Sequence, residues 1–187
     1  MTDNGALLFD GASRKQATMW LSQTYPEHGL RPLLHGTPYE PLADIGPIML
    51  EAAPGSHLHS AWSQGDAGLE HAVWLATDLP SDQLFNSLQR RLRILSPDGR
   101  EFWLRLADAQ PLHMAWQAQC QWPQGFWHGI TEVWLPTPSG PLPTWSNATP
   151  EIDCTAAIQG INAQITLDWP LLEALARDKD STQEIAV

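Results

Sequence analysis

Nucleophilic or acid–base chemistry needs a reactive group, a base and an orienting partner brought together, and such sites leave local signatures in a sequence. Here there is no GxSxG elbow, and Gly11 to Arg14 lacks the second glycine and the lysine of a phosphate-binding loop. Asp10 and Asp108 each follow a run that reads as a strand, a place where catalytic carboxylates occur in open α/β sheets. An Asp at a strand end more commonly caps the next turn or helix, and that is the expectation for both. His57 and His59 lie two apart, which aligns them in a strand but splays them in a helix. His71, His35 or Asp66 would have to supply a third ligand, so the sequence predicts no metal, no cofactor and no catalytic residue. Cys120 and Cys154, outside any CxxC or Cys/His spacing, offer no disulfide framework, and Cys120 reads as an inert packing residue.

What stands out instead is apolar: the 187 residues include 10 Trp and 16 Pro. Trp20, Trp74 and Trp103 fall in regular elements and are expected in the core. Trp116, Trp122, Phe126, Trp127, Trp134 and Trp145 crowd around turns and a Pro-rich stretch. They are the candidate partner-binding residues, rigid rings that would anchor a protein partner when desolvated. The formal charge of −11, with only 10 Lys and Arg, argues against a nucleic-acid partner. Arg90, Arg91, Arg93, Arg100 and Arg105 gather half of those cations and read as a solvated helix end and hairpin edge. The start lacks a basic n-region, and no run approaches the roughly 18 apolar residues of a membrane span. With so few cysteines, the expectation is a reducing, cytoplasmic compartment and no membrane partner.

The elements that would position these residues centre on residues 71–108. Residues 72–76 form an apolar run suited to a strand buried on both faces. A helix follows from Pro80, with Asp82 near its positive end and Leu84, Phe85, Leu88 and Leu92 on one stripe. Ser96 to Gly99 then supplies turn chemistry between extended runs at 93–95 and 101–106.

Upstream, 6–9 is a strand, and Ser13 with Gln16 reads as a capping box for a helix to about Thr24. Residues 30–34 are an edge strand limited by Pro32, 35–47 an irregular loop, 48–51 a strand, and 56–63 a short helix facing inward through Leu58, Ala61 and Trp62. Downstream, Pro111 opens a helix, and 130–135 alternates as a final core strand, Ile130, Glu132 and Trp134 on one face and Thr131, Val133 and Leu135 on the other. Five prolines and Gly140 make 135–150 an extended linker or arm. Residues 158–167 can hold a strand, Asp168 caps a terminal helix carrying Leu171, Leu172 and Leu175, and residues from Asp180 read as frayed.

The fold class expected is α/β (mixed α+β): a small mixed sheet with flanking helices, followed by a Pro-rich arm and a short C-terminal helical segment. The boundaries are 5–135 for the α/β domain, 136–150 for the arm and 151–187 for the C-terminal extension.

Several stretches, in this order, resemble one known family. They are ALLFDGA from Ala6, LLHGTPYEPLADIGPIMLE from Leu33, WLATDLPSDQLFNSLQRRL from Trp74 and SPDGREFWLRLAD from Ser96. Together they are similar to the type VI secretion effector adaptors, or chaperones (Tap/TEC type), catalogued as domain of unknown function 4123. The family's last strand usually ends in aromatic-Asp-Pro-Arg, whereas this chain reads Ala107, Asp108, Ala109, Gln110, so only the Asp matches. The resemblance covers about residues 6–135. It implies a non-enzymatic protein of the Gram-negative bacterial cytoplasm that binds a toxic effector protein and helps load it on the spike protein, VgrG. A different class remains as the alternative: a carbohydrate-binding or hydrolytic protein using Trp platforms with Asp10 or Asp108.

Overall fold

The computed structural model describes residues 4–156 and 160–177. The fraying expected from Asp180 lies outside those residues, as does part of the strand expected over 158–167. Among the described residues are eight strands and five α-helices: β1 Asn4–Asp10, α1 Ala17–Thr24, β2 Leu30–Pro32, β3 Pro47–Glu51, α2 His57–Ser63, β4 Val73–Thr77, α3 Ser81–Gln89, β5 Arg93–Leu95, β6 Glu101–Trp103, α4 Ala109–Gln117, β7 Ile130–Thr137, β8 Gly140–Ser146 and α5 Trp169–Leu175. The mixed α+β class is the one the sequence predicts. The principal sheet has the order β2-β3-β1-β4-β7-β8 with every neighbour antiparallel.

Period-two alternation divides the sheet's side chains between two layers. Leu7, Phe9, Ile48, Leu50, Trp74 and Ala76 pack against α1 and α2. Ala6, Leu8, Met49, Val73 and Leu75 pack with α3, α4, α5 and the β5–β6 hairpin. β4 is buried throughout, which explains why its sequence is apolar rather than alternating.

In β7 the alternation breaks. Ala76 pairs with Glu132 but Thr77 with Ile130, so Thr131 is the extra residue of a bulge. The bulge turns Ile130 to the same layer as Val133 and Leu135, a change of face that the sequence pattern does not predict.

Three more expectations change for physical reasons. The predicted capping box does not form: Ser13 donates to the Asp10 carbonyl, and Gln16 has a left-handed backbone without a side-chain cap. Asp44, far along the chain, accepts from both the Thr18 N–H and its hydroxyl and takes over the capping role. The Pro-rich segment is extended, and its residues 140–146 hydrogen-bond to β7 as edge strand β8; an edge tolerates Pro141 and Pro143 because no further strand needs their missing N–H groups. Finally, Arg90 and Arg91 are buried rather than solvated. Asp153 bridges them, at 2.8 Å from each guanidinium, and Arg91 also donates to the carbonyls of Gly125, Phe126 and Ser87.

The C-terminal segment packs on the same core. Ile161, Ile165, Leu167, Leu171 and Ala174 join the larger apolar cluster, and the N–H of Leu95 and the carbonyl of Ile165 connect the hairpin to it. Asp168 caps α5 through the Leu171 N–H, as its sequence position suggests.

Candidate functional site

The six predicted anchors do not form one exposed surface. Phe126 and Trp127 are buried, and Trp122 and Trp145 close over them with ring centroids 4.4–6.0 Å apart. These four rings are an internal nest, one of them supplied by β8, part of the segment the sequence reads as an extended linker or arm. Trp134 lies on the opposite sheet layer, 6.4 Å from Trp74 and perpendicular to it. Trp116 alone of the six is exposed, its indole N–H donating to the Thr144 carbonyl.

A different aromatic group is open to solvent. Phe102 is 39%, Trp103 50% and Trp169 40% exposed. Trp103, expected in the core, is outside because the β5–β6 sheet has only two strands of three residues and cannot cover both of its faces. Phe102 and Trp169 flank a groove between the hairpin and α5, about 410 Å³ in volume, which Leu104, Leu172 and Leu175 also line, while the Trp103 ring stands on the hairpin's other face.

Each wall is held by identifiable contacts. The hairpin turn closes through Ser96 and Arg100, with Gly99 at φ +83° supplying the left-handed residue the turn demands. Arg100 lies 5.7 Å from the Phe102 ring and 5.7 Å from the Trp169 ring, a cation shared across the groove mouth. Trp103 is steadied from behind by Tyr39, edge to face at 5.0 Å. On α5, Leu171 and Ala174 face the core, which leaves Leu172 and Leu175 to line the groove.

One signal for this site was present in the sequence. Phe102 and Trp103 are adjacent in a strand, so they must point to opposite faces of a hairpin too small to bury either side fully. The contribution of α5 carried no such signal, because it depends on how the C-terminal segment returns to the hairpin.

The residues considered for chemistry are occupied otherwise. Asp10 and Asp108 both cap, accepting from the N–H groups of Ala12 and Gln110, and both pair with Arg105 at 2.7 and 2.9 Å. A serine, a histidine and an aspartate do meet at Ser87, His128 and Asp153, but not as a triad. Both contacts fall on the same imidazole nitrogen, Nδ1, at 3.1 and 3.4 Å, and Ser87 is wholly buried. A nucleophile needs one ring nitrogen and the orienting carboxylate the other. Burial lowers the His128 pKa, with Asp153 opposing. For Asp153 itself burial acts upward, but the Thr155 N–H and the Arg91 guanidinium outweigh it and hold the carboxyl far below its usual range. The cluster ties α3 to the 125–126 and 153–155 segments.

The profile of the family described as a domain of unknown function, DUF4123, matches residues 7–124. The chain belongs to the DUF4123 family. The DUF4123 match includes the hairpin wall of the groove and stops before β7, β8 and α5, so the second wall comes from outside it. A relative of the chain is "Accessory protein VasW" of Vibrio cholerae serotype O1, 26% identical over 134 residues; the alignment covers 72% of this chain and 43% of the relative. The DUF4123 chain thus spans less than half the length of that accessory protein. No solved structure matches it. Among the described residues, no helix is long and apolar enough to cross a membrane.

Proposed function

We propose that this DUF4123 protein is a non-enzymatic adaptor of type VI secretion. It holds an apolar segment of a toxic effector in the groove between the β5–β6 hairpin and α5, and helps load that effector on the spike protein, VgrG, from the bacterial cytoplasm. The observation that carries this reading is the open aromatic groove itself, where Phe102 and Trp169 remain exposed beside Leu104, Leu172 and Leu175. Rigid rings of this kind bury large areas at little entropic cost when a partner arrives. Family membership and likeness to a protein named as accessory support the assignment. The glycan-binding or hydrolytic alternative gains nothing from Asp10 and Asp108, whose oxygens are committed to Arg105 and to helix and turn caps.

The test is co-purification of the tagged full chain from its own bacterium, with the retained proteins identified and then rebound to purified variants. Phe102→Ala combined with Trp169→Ala should weaken effector binding at least about tenfold. Thermal stability should change little, since both rings are half exposed. Undiminished binding by that double variant would move the site elsewhere, and recovery of neither an effector nor the spike protein would overturn the adaptor reading.

A further inference from the structure

On the other side of the sheet, the loop after α1 and the first turn of α2 bring three metal-ligand side chains together. Ligand atoms of Glu27, His28 and His57 all lie within 4.8 Å of one another. His57 Nδ1 is 2.8 Å and His28 Nε2 3.9 Å from the same oxygen, Glu27 Oε1. Ligands held about 2.0–2.2 Å from a tetrahedral zinc ion sit roughly 3.3 Å from one another, so these two separations bracket the required one.

The surroundings supply what a bare cluster of surface groups lacks. The Nδ1 of His28 lies 2.7 Å from the Glu51 carbonyl, which can only accept, so Nδ1 carries the proton and Nε2 holds the lone pair a metal would use. This is the second-shell contact that fixes the tautomer of metal-bound histidines. The buried Tyr25 ring packs against both imidazoles, at 6.4 Å from His28 and 5.4 Å from His57, and limits their rotation. His28 is nearly buried while Glu27 and His57 are half exposed, which gives an ion a route in. A cavity of about 330 Å³, lined by Glu27, His28, Glu51 and Ser56, adjoins the cluster and has room for the water that completes four-coordination. The present competitor is the Leu58 N–H, which donates to His28 Nε2 at a weak 3.2 Å.

We infer that Glu27, His28 and His57 form a binding site for a zinc-class transition-metal ion that fastens the loop after α1 to α2. Two imidazoles and one carboxylate are the donors such ions prefer, whereas magnesium and calcium prefer oxygen alone. The set differs from the one that sequence spacing suggests. His59 splays away along α2, as expected on a helix, and accepts from the Gly55 N–H.

Titration of chelator-treated full chain with zinc chloride, by calorimetry and thermal shift, tests the site. One zinc per chain should bind, with a Tm that rises with zinc concentration and is unmoved by magnesium. Glu27→Gln and His57→Ala, both at exposed positions and checked for folding by circular dichroism, should each weaken zinc binding at least about tenfold. His35→Ala, an exposed histidine outside the cluster, should not, and cobalt(II) in place of zinc should give the visible absorption of a tetrahedral site. No zinc uptake, equal uptake by both cluster variants, or equal uptake of magnesium would overturn the inference.

Discussion

Arg91 is a guanidinium with no exposed surface, and its value to the fold rests on Asp153 and three backbone carbonyls. Removing Arg91 leaves three buried carbonyls without their donor and Asp153 with Arg90 alone, and breaking a buried ion pair costs about 3–5 kcal/mol. Arg91→Met should therefore lower the Tm by on the order of 10 °C in a calorimetric scan, and adding Asp153→Leu should recover part of the loss. The pair also sets the response to acid. Asp153 binds a proton less tightly when folded than when unfolded, so its stabilisation is complete above the unfolded value of about 4 and is lost progressively as pH falls toward its depressed folded value. Asp153→Asn should lower the Tm at pH 7 and flatten its decline below about pH 4; a parallel decline in both proteins would remove Asp153 from the acid response. None of this was legible in the sequence. A run of arginines at a helix end looks the same whether water or a distant aspartate meets it.

At the scale of elements, most of the pattern was legible. The fully apolar run of β4, the stripe of α3, the Asp168 cap and the inner face of α2 all follow from local spacing. Local spacing fails where a distant partner decides. Asp44 caps α1 across 26 residues, and the Thr131 bulge arises only because β7 must match β4. Asp168→Ala should lower stability by about 1 kcal/mol and, by loosening α5, weaken whatever binds the groove. The turn into β7 is stricter. Gly129 has φ +75°, and a Cβ there would lie 2.0 Å from the Leu79 Cδ1 atom. Gly129→Ala should thus cost more than about 1 kcal/mol in a denaturant titration, whereas Gly36→Ala, where a Cβ meets nothing, should cost less.

For the molecule as a whole, the fold class was legible and its extent was not. β7 pairs with β4, and Ile161, Ile165, Leu167 and Leu171 fill the same cluster as Leu8 and Val73. A chain ended at residue 124, where the family match stops, should fail to give a cooperative unfolding transition, while the full chain gives one. The groove and the predicted anchors are different residues for a related reason. Sequence density marks where rings are numerous, but whether a ring is exposed depends on which segment returns over it: Trp145 of β8 closes over Trp122 and Trp127, while Phe102 and Trp169 remain exposed.

The prolines at the margins of the principal sheet carry a consequence of a different kind. Its outer strands, β2 and β8, hold Pro32, Pro141 and Pro143, positions that cannot donate a hydrogen bond to an incoming strand from another molecule. Copies of a protein with an open aromatic groove are thereby discouraged from stitching edge to edge into fibres through the principal sheet.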